Sequence, residues 1–235
     1  MKKGKIWLIP SPLGEGLIRK SLASESISKI QAITHFIVEN EKVSRKFLRE
    51  IEVNVPQSEL HIEEYGKHHK KPLEEYFLPI HQGMDIGILS DAGCPGIADP
   101  GSEIVSKAHE LGIQVVPLVG PSSILLSLMA SGFNGQSFSF QGYLPIEKKA
   151  RKDKLRALET LAEKQNQTQI FIETPYRNLQ IIQDMVESLK PLTKLCIASG
   201  ITTDLEFIQT HPISYWKTHF PKLDKIPTIF LIFKS

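Results

Sequence analysis

Cysteine is nearly missing from this chain: Cys94 and Cys196 are the only two in 235 residues. They lie far apart and form neither a metal-spaced nor a redox pair, which excludes a disulfide framework and fits a reduced, cytoplasmic compartment. An excess of one charge is missing too, since 28 basic residues face 26 acidic ones for a net charge of +2. No chain-wide basic field demands nucleic acid, so any RNA contact has to come from local patches. No apolar run approaches membrane-spanning length, and the basic start before Ile6-Trp7-Leu8-Ile9-Pro10 is too short and proline-broken for a signal segment. The common nucleotide fingerprints are absent as well. Gly14-Glu15-Gly16 begins a G-x-G, but Arg19 stands where the third glycine belongs; no Walker lysine follows a glycine loop and no H-E-x-x-H occurs. His61, His68, His69 and His81 sit in charged settings that suit solvent, so no metal is expected.

What is present is an ordinary soluble composition, 41% hydrophobic and 23% charged, in a length sufficient for one domain or two small ones. Its organising stretch is Met84 to Gly101. Ile86-Gly87-Ile88-Leu89 reads as a short buried strand, which empties into a loop holding Gly93, Gly96 and Gly101 with Pro95 and Pro100 between them. Ser102 to Gly112 follows as a helix, with Asp99 expected as its N-cap and Pro100 in its first turn. Glycines in such a turn let backbone N–H groups approach a ligand, and a helix start favours negative charge.

Strand and helix alternate through the first half. Strands are expected at Lys5 to Pro10, Thr34 to Val38, Ile86 to Leu89 and Gln114 to Val119, with a short one at Leu60 to Ile62. Helices are expected at Ser21 to Gln31, Ser44 to Ile51, Pro72 to His81 and after Ser123. This order argues a parallel sheet covered on both faces, with ligands at the carboxyl edge of the strands. The exit loops Pro10–Gly16, Glu39–Ser44, Asp91–Gly101 and Gly120–Ser123 then gather on one rim. Lys67 to Lys71 forms a local basic knot.

A second α/β domain begins where glycine and serine cluster between Gly120 and Phe138, placing the domains at 1–120 and 121–235. Strands are expected at Phe138 to Tyr143, Gln169 to Glu173, Lys194 to Ala198 and Thr228 to Phe233. Helices are expected at Glu147 to Lys164 and from Arg177 to about Leu189, while Asp204 to Phe220 has no clear period. Among reactive side chains, Cys94 has no histidine near it in sequence and reads as a small pocket-lining residue; Ser122 and Ser123 lack a nucleophile elbow and read as a helix cap. The run Lys148-Lys149-Arg151-Lys152-Lys154-Arg156 is the densest basic cluster. It reads as a solvated helix face, or on an RNA enzyme as a source of phosphate contacts.

Several ordered segments resemble the tetrapyrrole-methylase-like family of S-adenosylmethionine methyltransferases, and within it the branch that methylates ribose of small-subunit ribosomal RNA. They are Ser90 to Pro95 with Ile97 to Gly101, Val116 to Ser122, Ser131-Gly132, Gly142 to Pro145 and Glu173 to Arg177. The resemblance implies two α/β domains, the first with a parallel and the second with a mixed sheet, a ligand cleft between them, and a homodimer. It implies S-adenosylmethionine as cofactor, leaving S-adenosylhomocysteine as product. Carried over by position, the donor lies against Gly93, Cys94, Ile97, Ala98, Ser122 and Ser123, with Ile172, Glu173, Pro227 and Thr228 from the second domain. Pro12 and Gly14 border the acceptor side, and Lys148, Arg151 and Arg177 are candidate phosphate contacts. Acceptor-side segments depart from the branch's pattern: Ser11-Pro12-Leu13-Gly14 is followed by Glu15 rather than asparagine, and Ala198 to Thr203 replaces an A-R-E-L-T-K element.

A ribose hydroxyl is a poor nucleophile that gains from a base. Glu39 and Asp91, ending neighbouring strands on the rim, are the candidates for it. Loop capping and ion pairing are the competing account of both. The expected activity is methylation of ribosomal RNA or the small ribosomal subunit, without a membrane partner. A methyltransferase acting on a tetrapyrrole-like small molecule and a non-catalytic donor-binding protein stay open.

Overall fold

The computed structural model describes residues 3–66, 71–223 and 225–234. Of the basic knot at Lys67 to Lys71, residues 67–70 therefore lie outside the described residues, while Lys71 pairs with Glu63. The chain divides into two units, Met1–Ser122 and Ser123–Ser235.

The N-terminal unit is a five-stranded sheet of β1 (Ile6–Ile9), β2 (His35–Val38), β3 (His61–Glu64), β4 (Ile86–Leu89) and β5 (Val115–Pro117), in the order β3-β2-β4-β1-β5. Every pairing is parallel. Its helices are α1 (Ile18–Ser21), α2 (Ser24–Gln31), α3 (Glu41–Ile51), α4 (Leu78–His81) and α5 (Ser102–Glu110). The expected single helix over residues 21–31 is broken at Leu22, whose extended backbone ends α1 before α2 begins. The stretch expected as a helix from Pro72 is a 3₁₀ segment, Leu73–Phe77, that passes directly into α4.

Chain order fixes which face each helix covers. The connections β1→β2 and β2→β3 run one way across the sheet, and β3→β4 and β4→β5 run the other way. Right-handed crossovers put those two sets on opposite faces. The side chains agree: Ile18, Leu22, Ile30, Phe47 and Leu48 pack with Ile9 and Phe36 on one face, and Tyr76, Phe77, Ile80, Ile104 and Ala108 pack with Ile37, Ile86 and Ile88 on the other. β4 thus sends its connection to the face opposite those used by both its neighbours, β2 and β1. In open α/β sheets, ligands bind in the crevice at such a switch point. Gly87 leaves room in the central strand for side chains of the strands on either side, because a Cβ there would stand 2.6 Å from Ile9 Cδ1 of β1 and 2.8 Å from the Phe36 ring of β2.

The C-terminal unit is a mixed sheet of β6 (Phe138–Tyr143), β7 (Thr168–Glu173), β8 (Lys194–Ser199), β9 (Phe207–Pro212) and β10 (Thr228–Phe233), in the order β6-β7-β10-β8-β9. β6 pairs with β7 in parallel and the other pairs are antiparallel; the register of β6 shifts between Phe140 and Tyr143, where Gly142 has φ +65°. Its helices are α6 (Ser123–Ser131), α7 (Lys148–Gln165), α8 (Asn178–Ser188) and α9 (Ile213–Trp216). Leu155, Leu158, Ile181, Ile182, Met185 and Trp216 bury against Phe171, Ile197 and Phe230. Among the described residues no helix is long and apolar enough to cross a membrane.

Arg151 corrects an expectation. It is 1% exposed, not on a solvated helix face. Its Nε and Nη2 donate to Asp184 Oδ2 at 2.8 and 2.6 Å, and Nη1 donates to the carbonyls of Pro145 and Ile146. A guanidinium buried this way is a structural tie between α7 and α8, unavailable to a phosphate. Removing one partner of a buried pair leaves the other charge uncompensated, whereas apolar replacement of both is often tolerated. Asp184→Ala is expected to destabilise the C-terminal unit by about 3–5 kcal/mol, and Arg151→Met with Asp184→Leu to recover most of that loss. Urea unfolding followed by Trp216 fluorescence in a Trp7→Phe background measures both.

Candidate active site

All five strands of the parallel sheet point the same way, so their exit loops share one edge, and specific bonds join them. Ser11 and Gly93 form an antiparallel bridge, with Ser11 N–H donating to Gly93 O at 2.8 Å and Gly93 N–H donating to Ser11 O at 3.0 Å. The Ser11 hydroxyl donates to Ser90 O, 2.9 Å away. This ties the β1 exit to the β4 exit. The β5 exit closes on both: a Cβ on Gly120 would stand 2.4 Å from Pro10 Cβ, and Cys94 Sγ donates to Pro121 O at 3.4 Å. Gly93 holds φ +73°, a left-handed backbone that a side chain would strain. Burial pushes the Cys94 thiol up, so it is a protonated loop residue rather than a nucleophile.

The β2 exit joins from the other side. Glu39 N–H donates to Leu89 O at 3.2 Å, and Glu39 Oε2 accepts from Asp91 N–H at 3.2 Å. The structure thus brings Glu39 and Asp91 together at the switch point. Glu64 adds its charge from the β3 exit while its Oε1 accepts the Glu41 N–H. Burial pushes the Asp91 carboxyl up, with like charge from Glu39 and Glu64 adding to it.

Asp99 belongs to the same cluster, and the sequence reading missed it. Gly101, with φ +129°, occupies the N-cap position of α5, so the helix starts at Ser102 and Asp99 is not its cap. Asp99 is instead half-buried in the β4 exit loop, where burial, Glu39 and Asp91 push its carboxyl up to about 6 against a downward pull from the Ser90 hydroxyl. Ile97 and Ala98 stand exposed on the same loop, and Ala98 has a left-handed φ of +65°. Pro12 and Gly14 are partly exposed on the β1 exit, and Ser122 and Ser123 stand where the two units meet in sequence.

In the C-terminal unit, Glu173 ends β7 and pairs in register with Thr228 at the start of β10, while Thr228 pairs on its other side with Ser199. Asn178 Nδ2 donates to Thr228 Oγ1 at 3.1 Å and to Ile226 O at 2.8 Å. Glu173 Oε1 accepts from Thr174 N–H at 2.7 Å and from Arg177 Nε at 3.0 Å and Nη2 at 2.5 Å. Arg177, expected as a phosphate contact, therefore has its fork turned onto Glu173. The other oxygen, Glu173 Oε2, is buried without a hydrogen-bond partner among the described residues. Ile172 lies beside it in β7, and Pro227 is exposed just before Thr228.

The basic run on α7 is largely neutralised by its neighbours. Lys148 faces Asp184 and Glu187 at 3.8 Å each, Lys152 contacts Glu187 at 2.5 Å, and Arg156 contacts Asp153 at 3.0 Å. The helix N-terminus is taken by Glu147, which accepts from Lys149 N–H and Ala150 N–H. Among the described residues no group of three or more histidine, cysteine, aspartate or glutamate side chains is arranged to hold a metal ion.

Residues 20–214 match the family model of the tetrapyrrole (corrin/porphyrin) methylases. The chain is 30% identical over 210 residues to the ribosomal RNA small subunit methyltransferase I of Vibrio cholerae, an alignment covering 89% of this chain and 69% of that protein. It is 32% identical over 212 residues to the protein of the same name from Haemophilus influenzae, covering 89% and 70%. Among solved structures, the methyltransferase CobJ superposes with a TM-score of 0.62 at 16% identity, over 99% of this chain and 95% of that one, a likeness of fold. Taken with the parallel and mixed sheets described above, the match over most of its length shows that this chain belongs to the tetrapyrrole (corrin/porphyrin) methylase family.

Proposed function

We propose that the protein transfers a methyl group from S-adenosylmethionine to a ribose 2′-hydroxyl of small-subunit ribosomal RNA, in the cytoplasm and as a homodimer. The observation that carries the reading is the meeting of Glu39 and Asp91 at the switch point of a family methylase fold whose named relatives act on ribosomal RNA. The residues present fit the donor. Glu173 Oε2 is a buried acceptor with no donor among the described residues, which suits a ligand that brings an N–H or O–H group. Glu39, Asp91 and Asp99 concentrate negative charge beside the glycine loop, which favours a cation such as a sulfonium. Gly93, Cys94, Ile97 and Ala98, with Ser122 and Ser123, supply the loop backbone against which the donor rests, and Ile172, Pro227 and Thr228 flank Glu173. When bound, the donor supplies an electrophilic methyl group. Asp91, with its carboxyl raised, takes the proton of the attacking hydroxyl, and Glu39 holds the Asp91 backbone in place through its N–H. Pro12 and Gly14 border the acceptor. Two free cysteines fit a reducing compartment. Exposed Leu125 and Met129, one turn apart on α6, support self-association.

Labelled S-adenosylmethionine with small ribosomal subunits is expected to give transfer into RNA, located at ribose by nuclease resistance of the modified linkage. No transfer to RNA alongside transfer to a tetrapyrrole would overturn the acceptor. Asp91→Asn is expected to lower kcat by about 10²-fold or more. The pH–rate profile should rise as the carboxylate cluster loses protons, with a limb near the value of about 6 held by Asp99. Asp99→Asn removes the group that titrates there and should abolish that limb.

Stability has its own sign. Asp99's folded value lies above its ordinary 3.8, so its contribution is fully present below about 4 and is lost as pH rises through about 6. Asp99→Asn should therefore raise Tm at pH 8 and leave it nearly unchanged at pH 4. Light scattering is expected to give twice the 26.4 kDa chain mass, falling toward one with Met129→Glu.

A further inference from the structure

The rim that carries the acids repels phosphate, and the cations of α7 are largely paired, so the substrate strand has to be held elsewhere. The C-terminal unit offers another place. After β9 the chain turns through α9, and residues 217–223 and 225–227 lead to the start of β10, from the sheet edge marked by Lys194 and Pro212 to the edge marked by Glu173 and Thr228. This return segment interleaves rings and cations. The Tyr215 ring is stacked between His211 and His219, with centroids 3.8 and 4.1 Å away and interplanar angles of 23° and 6°. The stack is anchored beneath by Trp216, 1% exposed, whose Nε1 donates to Leu195 O at 3.1 Å. His219 Nδ1 lies 3.0 Å from Tyr215 O, a contact that requires the ring to donate there, and this fixes its orientation. The ring is nonetheless exposed, and Tyr215 covers only one of its faces.

Lys217, Lys222 and Lys225 follow, all exposed, and none has an ion-pair partner among the described residues. This contrasts with α7, whose Lys148, Lys152 and Arg156 are each matched to a carboxylate. At the far end Lys225 Nζ stands 6.0 Å from the ring centroid of Tyr176, which is 81% exposed although it follows Glu173 by only three residues. Asn178 fixes this end by donating to Leu223 O and Ile226 O.

Exposed rings among cations that have no ion-pair partner among the described residues are the arrangement that binds single-stranded nucleic acid: bases stack on the rings and phosphates neutralise the lysines, without sequence readout. Resting on the ribosomal-RNA reading above, we propose that the strip from His219 through Lys217, Lys222 and Lys225 to Tyr176 binds the single-stranded substrate RNA and leads it toward the sheet edge where Glu173 lies. Its span along the chain is at most roughly 30 Å.

The test uses the full chain and a fluorescent single-stranded oligoribonucleotide matching a stretch of small-subunit RNA. Anisotropy titrations run from low to moderate salt, alongside S-adenosylmethionine calorimetry and methylation kinetics on small subunits. Tyr176→Ala with His219→Ala is expected to weaken oligonucleotide binding about tenfold or more and to raise KM for RNA with little change in kcat. Converting Lys217, Lys222 and Lys225 to Gln should flatten the slope of log affinity against log salt by about 2, given roughly 0.7 per phosphate on single strands. Donor affinity in the calorimeter should match the parent chain in both, which shows that the variants are folded. Variants that bind and methylate RNA like the parent overturn the strip while leaving the methylation reading intact. A parent chain that binds the donor but neither binds nor methylates RNA overturns the reading, and the strip with it.

Discussion

The paired backbone bonds between Ser11 and Gly93 are the contact on which the N-terminal site depends. Parallel strands place their exits on one edge, but a shared edge does not make a site, since exit loops are free to splay. Two main-chain bonds, with a serine hydroxyl reaching Ser90 O, hold the β1 and β4 exits together as a small piece of sheet beyond the sheet proper. The demand on Gly93 follows: its carbonyl and N–H both have to face Ser11, which it meets with a left-handed backbone. Once that bridge is in place, the β4 loop has a fixed course, the β5 exit can rest on Pro10 and Cys94, and Glu39 can reach the amide of Asp91.

Charge is divided between the two units in a way that the balanced composition conceals. The rim of the N-terminal unit gathers Glu39, Asp91 and Asp99, with Glu64 close enough to raise Asp91. Such a rim holds a cation or takes a proton. The C-terminal unit pairs Lys148, Arg151, Lys152 and Arg156 of α7 within itself, and its return segment before β10 carries Lys217, Lys222 and Lys225 without an ion-pair partner among the described residues. A net charge of +2 thus conceals an acidic rim on one unit and a basic strip on the other.

The elements legible in the sequence are those whose burial leaves a period. β4, buried at all four positions, and β7, buried at five of six, read as apolar runs; α7 reads from Leu155 and Leu158. The alternation of these elements is enough to give the parallel sheet, its rim and the meeting of Glu39 with Asp91. The segment from Asp204 to Phe220 was not legible because β9 is an edge strand, only partly covered, and α9 is a single turn, too short to show a helical period. Arg151 looked like surface because its neighbours are Lys148, Lys149 and Lys152. The signal against that was its spacing: residues 151, 155, 158 and 162 form one inward stripe. Asp99 carried no such signal. Its environment is made by Glu39 and Asp91 arriving from elsewhere in the chain, which local sequence cannot express.

The irregularity in β6 has a consequence for how this molecule behaves among copies of itself. β6 lies at the end of its sheet, where a row of unsatisfied main-chain groups would template the addition of a foreign strand. Its pairing with β7 breaks step after Phe140, and Gly142 turns the backbone before Tyr143. An incoming strand would find a regular partner over only the first three residues before the ladder loses phase. The border of the sheet is blunted by its own geometry, which discourages fibrillar growth without any need for a covering helix.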